Sequence, residues 1–177
     1  FGRMKTFSDK MKYTNQAVGN MAEDLKQKVI REGKNRIYSF QQLSSEISKS
    51  PAPISLKGTP FEKQLNPLRE AALKIAKGKG GNISGLFDAR KEFDQMVKKT
   101  YPTLYERENA PMRDAVFAVR DTMNAFIEKN LPKGTGYTES LEKQHLLYDA
   151  MKNMGPKATA EIGTNRFQRY GERHPIQ

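Results

Sequence analysis

Residues 110–130 read APMRDAVFAVRDTMNAFIEKN. Met112, Val116, Val119, Met123 and Phe126 recur at steps of three and four, with Ile127 beside Phe126. That spacing places them on one face of an α-helix. Asn109-Ala110-Pro111 opens the run. Proline is tolerated there because the first turn of a helix has N–H groups with no intrahelical partner. Leu131-Pro132 closes it, since the residue before a proline is pushed out of helical conformation. A continuous apolar stripe of this length fixes a helical class, and the rest of the chain repeats the pattern.

Residues 8–32 carry Met11, Val18, Met21, Leu25 and Val29 along one face, with Ser8 as the expected cap and Gly33 as the stop. Ser39-x-x-Gln42 has capping-box spacing ahead of Phe40, Leu43 and Ile47. Thr59-Pro60-Phe61-Glu62 offers a cap, a first-turn proline and a third-position acid. It predicts a helix toward Ala76 with a kink or break at Pro67, where Asn66-Pro67 could restart it as a second cap. Ser84 is the expected cap of a helix over 85–99 whose stripe is Leu86, Phe87, Phe93, Met96 and Val97. A helix over 139–153, capped near Thr138, carries Leu141, Tyr148 and Met151. The short connection predicts that it packs antiparallel on 110–130, with Phe126 facing its start. Met154-Gly155-Pro156 should end it, and a last helix is expected over about 157–170. No strand-period alternation of useful length and no 20–50-residue repeat appears. The expected fold is mainly α: six or seven helices in an elongated bundle or array. Its expected organisation is a basic N-terminal helical arm (1–50), a proline-containing linker (51–58) and a helical bundle with a basic tail (59–177).

The 177 residues are 36% hydrophobic and 29% charged. Roughly 45–50% apolar is usual on a somewhat broader count, so the core is lean. A lean core fits an elongated array, or helices that finish their burial against partner chains. The net charge is +11. It is unevenly spread: 20 basic and 10 acidic side chains in residues 1–100, 6 and 8 in 101–150, and 5 and 2 in 151–177. Such asymmetry points to polyanions or to electrostatic docking between copies. The sequence opens at Phe1 and closes at Pro175-Ile176-Gln177, ends expected of a piece of a longer protein.

Little reaction chemistry is legible. The absence of cysteine removes disulfides, thiolate nucleophiles and Cys-ligated metal centres from this chain. His145 and His174, its two histidines, are too few for a multi-histidine metal site. Asp114 and Asp121 share a helix with Arg113 and Arg120, which are ready partners for them on a solvated flank. Glu139 and Glu142 are likewise better read as surface acids than as an acid–base pair. No catalytic, cofactor-binding or metal-ligating residue is assigned. The glycine-rich loop Lys77-Gly78-Lys79-Gly80-Gly81 lacks the phosphate-loop pattern and follows no buried strand, so it reads as a connector. For nucleic acid the candidate contacts are Lys77, Lys79, Arg90, Lys91, Lys98 and Lys99. Without a zinc-finger ligand set or an RNP aromatic motif, any such contact is nonspecific. No apolar run is long enough to span a membrane.

Three stretches, 86–94 (LFDARKEFD), 118–127 (AVRDTMNAFI) and 146–152 (LLYDAMK) with Gly155-Pro156-Lys157, resemble in that order a helical module of large structural proteins of tailed bacteriophages. The resemblance covers roughly residues 84–160, and residues 1–83 show no comparable match. It implies a noncatalytic virion structural or internal (ejected) protein that acts in assembly or genome delivery. Its partners would be other virion proteins or copies of itself, and its place the virion. It transfers no functional residues. The alternatives from composition are a nonspecific DNA-binding or packaging protein, with a cytoplasmic location, and a fragment of an enzyme whose active site lies elsewhere.

Overall fold

In a computed structural model the described residues are 6–162, with side chains described through Met151. They form six α-helices: α1 (Phe7–Gly33), α2 (Phe40–Lys49), α3 (Leu65–Lys77), α4 (Ile83–Thr100), α5 (Ala110–Lys129) and α6 (Tyr137–Ile162). Short 3-10 turns lie at Ile54–Leu56, Glu62–Gln64 and Arg107–Asn109. The fold is mainly α, and among the described residues extended pairing is limited to a single bridge between Ile37 and Asn82. By contacts the chain divides into two units, Val29–Thr135 and the segments 1–28 with 136–177. Helix α1 supplies residues to both.

Several helix ends follow the side chains that satisfy their orphan N–H groups. Ser39 Oγ accepts from the Gln42 N–H at 3.2 Å, as the capping-box spacing requires. Two caps fall two residues before where they were expected. Thr6, not Ser8, caps α1, its Oγ1 accepting from the Asp9 N–H at 3.1 Å, and Ser8 lies buried in the first turn. Asn82, not Ser84, caps α4, its Oδ1 accepting from the Gly85 N–H at 2.7 Å. A side-chain carbonyl held in extended backbone reaches that N–H as well as a hydroxyl would.

Three expected helix limits move. Thr59-Pro60 does not start α3: Thr59 Oγ1 donates to the Leu56 carbonyl at 2.7 Å and accepts from the Phe61 N–H at 3.3 Å, stabilising a turn. The helix begins at Leu65, which puts Pro67 in the first turn, where its missing N–H breaks no bond. At the other end of the chain α6 starts at Tyr137 and continues through Gly155-Pro156 to Ile162. A proline there removes one bond of the ladder but does not stop a run flanked by Lys157-Ala158-Thr159-Ala160, so the helix expected over 157–170 is in part the end of α6. Its remainder, with Phe167 and Tyr170, lies outside the described residues.

In the unit Val29–Thr135, α5 packs against α2, α3, α4 and the 54–56 turn, while α3 and α4 lie together as a hairpin. All six residues of the α5 stripe are buried. Ala72, Ala76, Ala89 and Ala115 are completely buried as well. Small side chains at helix contacts let the axes approach closely, which is how a lean sequence still builds a dense core. Phe126 meets the ring of Tyr38 edge-on, centroids 5.5 Å apart. The expected hairpin partner, residues 139–153, belongs to the other unit, so within its own unit the stripe is filled by α2, α3 and α4. Within residues 51–58 the 54–56 turn lies on α5: Leu56 is buried and Ser55 Oγ donates to the Asp114 carboxylate at 2.7 Å. Arg69 of α3 donates to the Ser50 carbonyl.

In the unit of residues 1–28 and 136–177, Val18 of α1 packs with Tyr148 and Met151 of α6, and Leu147 lies half-buried against them.

Candidate functional site

The cations proposed for nucleic acid run from the end of α3 through the following loop and along α4, and are divided by what they touch. Lys79 is in a tight double ion pair, its Nζ 2.9 Å from Asp88 and 2.7 Å from Glu92. Those partners, Glu92 first, hold its ammonium above the ordinary lysine range. The loop that carries it is fastened rather than loose. Gly78 N–H donates to the carbonyls of Lys74 and Ile75, closing α3. The Lys79 carbonyl lies so close over Gly85 that a Cβ there would collide with it. Gly80 turns the chain at φ +81°, a conformation open to glycine. A phosphate cradle needs unengaged backbone donors and a free cation; here the Gly78 and Lys79 N–H groups close α3 and the Lys79 ammonium is held by two acids.

Arg90 is not on the surface at all. It is 3% exposed, with Nη1 3.7 Å from Asp94 Oδ2. Arg120 of α5, 2% exposed, donates from Nε to Asp94 Oδ1 at 2.7 Å. Arg120 was expected on a solvated flank as a partner for the aspartates of its own helix. It instead crosses to α4, because the side of the stripe where it sits faces that helix. One carboxylate thus lies between two buried guanidinium groups, with the Phe87 ring 5.5 Å from Arg90 and the Phe117 ring 5.1 Å from Arg120. Aromatic faces carry partial negative charge and help hold a cation that has left water. Nearby, partial desolvation pushes the phenol of the half-exposed Tyr105 up, with Arg120 pulling it the other way. Partial desolvation also raises the carboxyl of Asp121, a residue at the surface, again opposed by Arg120. Guanidinium groups do not release protons in the physiological range, so the cluster is a clamp between α4 and α5 rather than acid–base machinery.

The remaining candidates are exposed or half-exposed. Lys77 is exposed, with Nζ 5.9 Å from the centroid of Phe40. Lys91 is half-buried over the Phe87 ring at 4.4 Å. Lys98 and Lys99 are exposed at the far end of α4. An 18-residue helix is ~27 Å long at 1.5 Å per residue, so Lys77 and the Lys98–Lys99 pair lie about a helix length apart. The structure does not bring the six into one patch.

Other polar groups are engaged locally. Arg113 Nη1 donates to the carbonyls of Leu104 and Glu106 at 3.2 and 3.1 Å, not to Asp114. Glu139 pairs with Lys143 at 3.0 Å. His145 Nε2 is 3.2 Å from Asp149 Oδ2, one helical turn on, a partner its i,i+4 spacing could have named. His174 lies outside the described residues. Among the described residues no group of three or more His, Asp or Glu is placed to hold a metal ion. No helix among them is long and apolar enough to cross a membrane.

No protein family, curated protein or solved structure matches this chain.

Proposed function

We propose that this chain is a noncatalytic helical contact module: a structural or internal (ejected) protein of a tailed-bacteriophage particle, acting in assembly or genome delivery. One observation carries the reading. The strongest polar chemistry faces inward, in the Arg90–Asp94–Arg120 cluster, while large apolar side chains face outward. Ile54 is 87% exposed, Ile37 77% and Leu146 66%. A catalytic surface needs the reverse arrangement, with polar groups converging on an open site. Scattered apolar side chains alone are ordinary on a surface, so the reading also leans on the resemblance of residues 84–160 to tailed-phage virion proteins. The test is protein mass spectrometry of gradient-purified particles from the culture that encodes the chain. Its peptides should co-purify at a stoichiometry constant across the particle peak. Their loss on gradient purification would refute a virion role.

A second reading, nonspecific nucleic-acid binding, is supported by the +11 charge and by the exposure of Lys77, Lys98 and Lys99. It predicts a duplex-DNA mobility shift that weakens steeply with salt.

A further inference from the structure

We propose that residues 36–38 form a docking edge for an acidic, extended segment of a partner protein. Tyr38 N–H donates to the Gly81 carbonyl and Ile83 N–H to the Arg36 carbonyl, both at 2.9 Å. These two bonds flank the antiparallel pair Ile37–Asn82. In such a pair the neighbours make the bonds, so the N–H and C=O of Ile37 itself point to the opposite edge. Neither takes part in a hydrogen bond among the described residues. A donor and an acceptor on one open edge is the arrangement that an added strand completes.

The side chains follow the same alternation. Tyr38 is buried against Phe126, and Ile37, on the other face, is 77% exposed. The edge is held in place beforehand. Arg36 N–H donates to the Gly33 carbonyl at 3.2 Å, and Arg36 Nη1 reaches the Asn130 carbonyl at 3.5 Å. A preformed edge reduces the ordering cost of binding.

Charge selects the partner. Lys34 is exposed three residues before Ile37 and forms no ion pair among the described residues. Lys133 is exposed three residues beyond Asn130. The acid closest in sequence, Glu32, faces Arg31 at 3.6 Å. A cationic rim repels the same edge of a second copy and attracts an acidic strand. Nucleic acid fits less well. Phosphate only accepts hydrogen bonds, so it would leave the Ile37 carbonyl facing an anion and the isoleucine side chain with no apolar partner.

The inference rests on the reading of the chain as a protein-contact module, and particle mass spectrometry tests that reading separately. The experiment is a titration of the isotope-labelled full chain with a short capped peptide of alternating glutamate and valine, followed by amide NMR. The Ile37 amide should move downfield and saturate. Backbone N-methylation of one alternate set of peptide residues should abolish the shift, and methylation of the other set should spare it. Lys34→Glu, checked for an unchanged spectrum elsewhere, should weaken binding about tenfold, on the order of 1.4 kcal/mol. A short DNA duplex should leave the Ile37 amide in place. An Ile37 amide that ignores the peptide, responds equally to both methylated peptides, or shifts with the duplex would overturn the inference. Particle association together with a silent Ile37 would refute the edge and leave the contact-module reading standing.

Discussion

Replacing Asp94 by Asn removes one charge and almost no volume from the clamp between α4 and α5. The amide oxygen can still accept from Arg120 Nε, now 2.7 Å from Asp94 Oδ1, but the countercharge is gone. Two guanidinium groups, 3% and 2% exposed, then remain in the interior with no carboxylate between them. Leaving a buried charge uncompensated costs about 3–5 kcal/mol, a large part of the ~5–15 kcal/mol by which a domain is stable. With a urea m-value of ~2 kcal/mol/M, the midpoint should fall by roughly 2 M. The chain has no tryptophan, so far-UV circular dichroism is the natural probe. The control is Glu46→Gln. It breaks the Lys129–Glu46 pair, whose side chains are 45% and 37% exposed, and an exposed pair is worth at most about 1 kcal/mol. A triple variant, Asp94→Leu with Arg90→Leu and Arg120→Met, should recover most of the loss, since apolar replacement of a buried ionic cluster is often neutral or better. If Asp94→Asn melts within about 1 kcal/mol of the parent, the two arginines do not depend on that carboxylate and the clamp is misread.

Phe126→Ala should cost ~3–5 kcal/mol in the same melts, through lost burial and the cavity left under Tyr38. Asn82→Ala should cost about 1 kcal/mol by removing the α4 cap. Gly85→Ala should also destabilise despite alanine's better helix propensity, because the Lys79 carbonyl blocks the new methyl group; a more stable variant would show that the loop is free to shift. For Asp121 the sign follows from a carboxyl raised in the folded chain. Its contribution is fully present below the unfolded pKa and is lost as pH rises through the folded one. Asp121→Asn should therefore gain stability relative to the parent as pH rises through that window, and a constant difference between the two melts across it would refute the assignment.

The fold was legible because it rests on periodicity. The α5 stripe, the Ser39–Gln42 box and the absence of strand alternation each depend on residues close together in the chain. What sequence misread depends on which face meets which helix. Arg90 and Arg120 have the composition of a solvated flank, and only the packing of α4 on α5 turns them inward toward Asp94. The packing of α5 on α2, α3 and α4 within its unit was missed for the same reason: a short connection points only to the next helix, whereas these contacts are long-range. The expected restart at Asn66-Pro67 lies within two residues of the true start of α3 at Leu65, but the segment before it is a separate 3-10 turn rather than the first half of one helix. The Ile37 edge left no signal, since one extended residue among helices has no period.

The same geometry makes the nucleic-acid reading countable. Of the six candidate cations, Arg90 is buried, Lys79 is paired twice and Lys91 is half-buried on a ring. Lys77, Lys98 and Lys99 remain exposed. Each phosphate neutralised contributes about 0.9 to the slope of log affinity against log salt, so these three supply at most ~2.7. From 50 to 200 mM salt that is roughly a 40-fold loss of affinity, against the 1,000-fold or more expected had all six reached the duplex. Replacing Lys77, Lys98 and Lys99 together by Gln should lower the measured slope by up to about 2.7, and Lys79→Gln should leave it unchanged. A slope that drops by about 0.9 with Lys79→Gln would mean that its ion pairs with Asp88 and Glu92 open on DNA, and that the fastened α3–α4 loop is a binding loop after all.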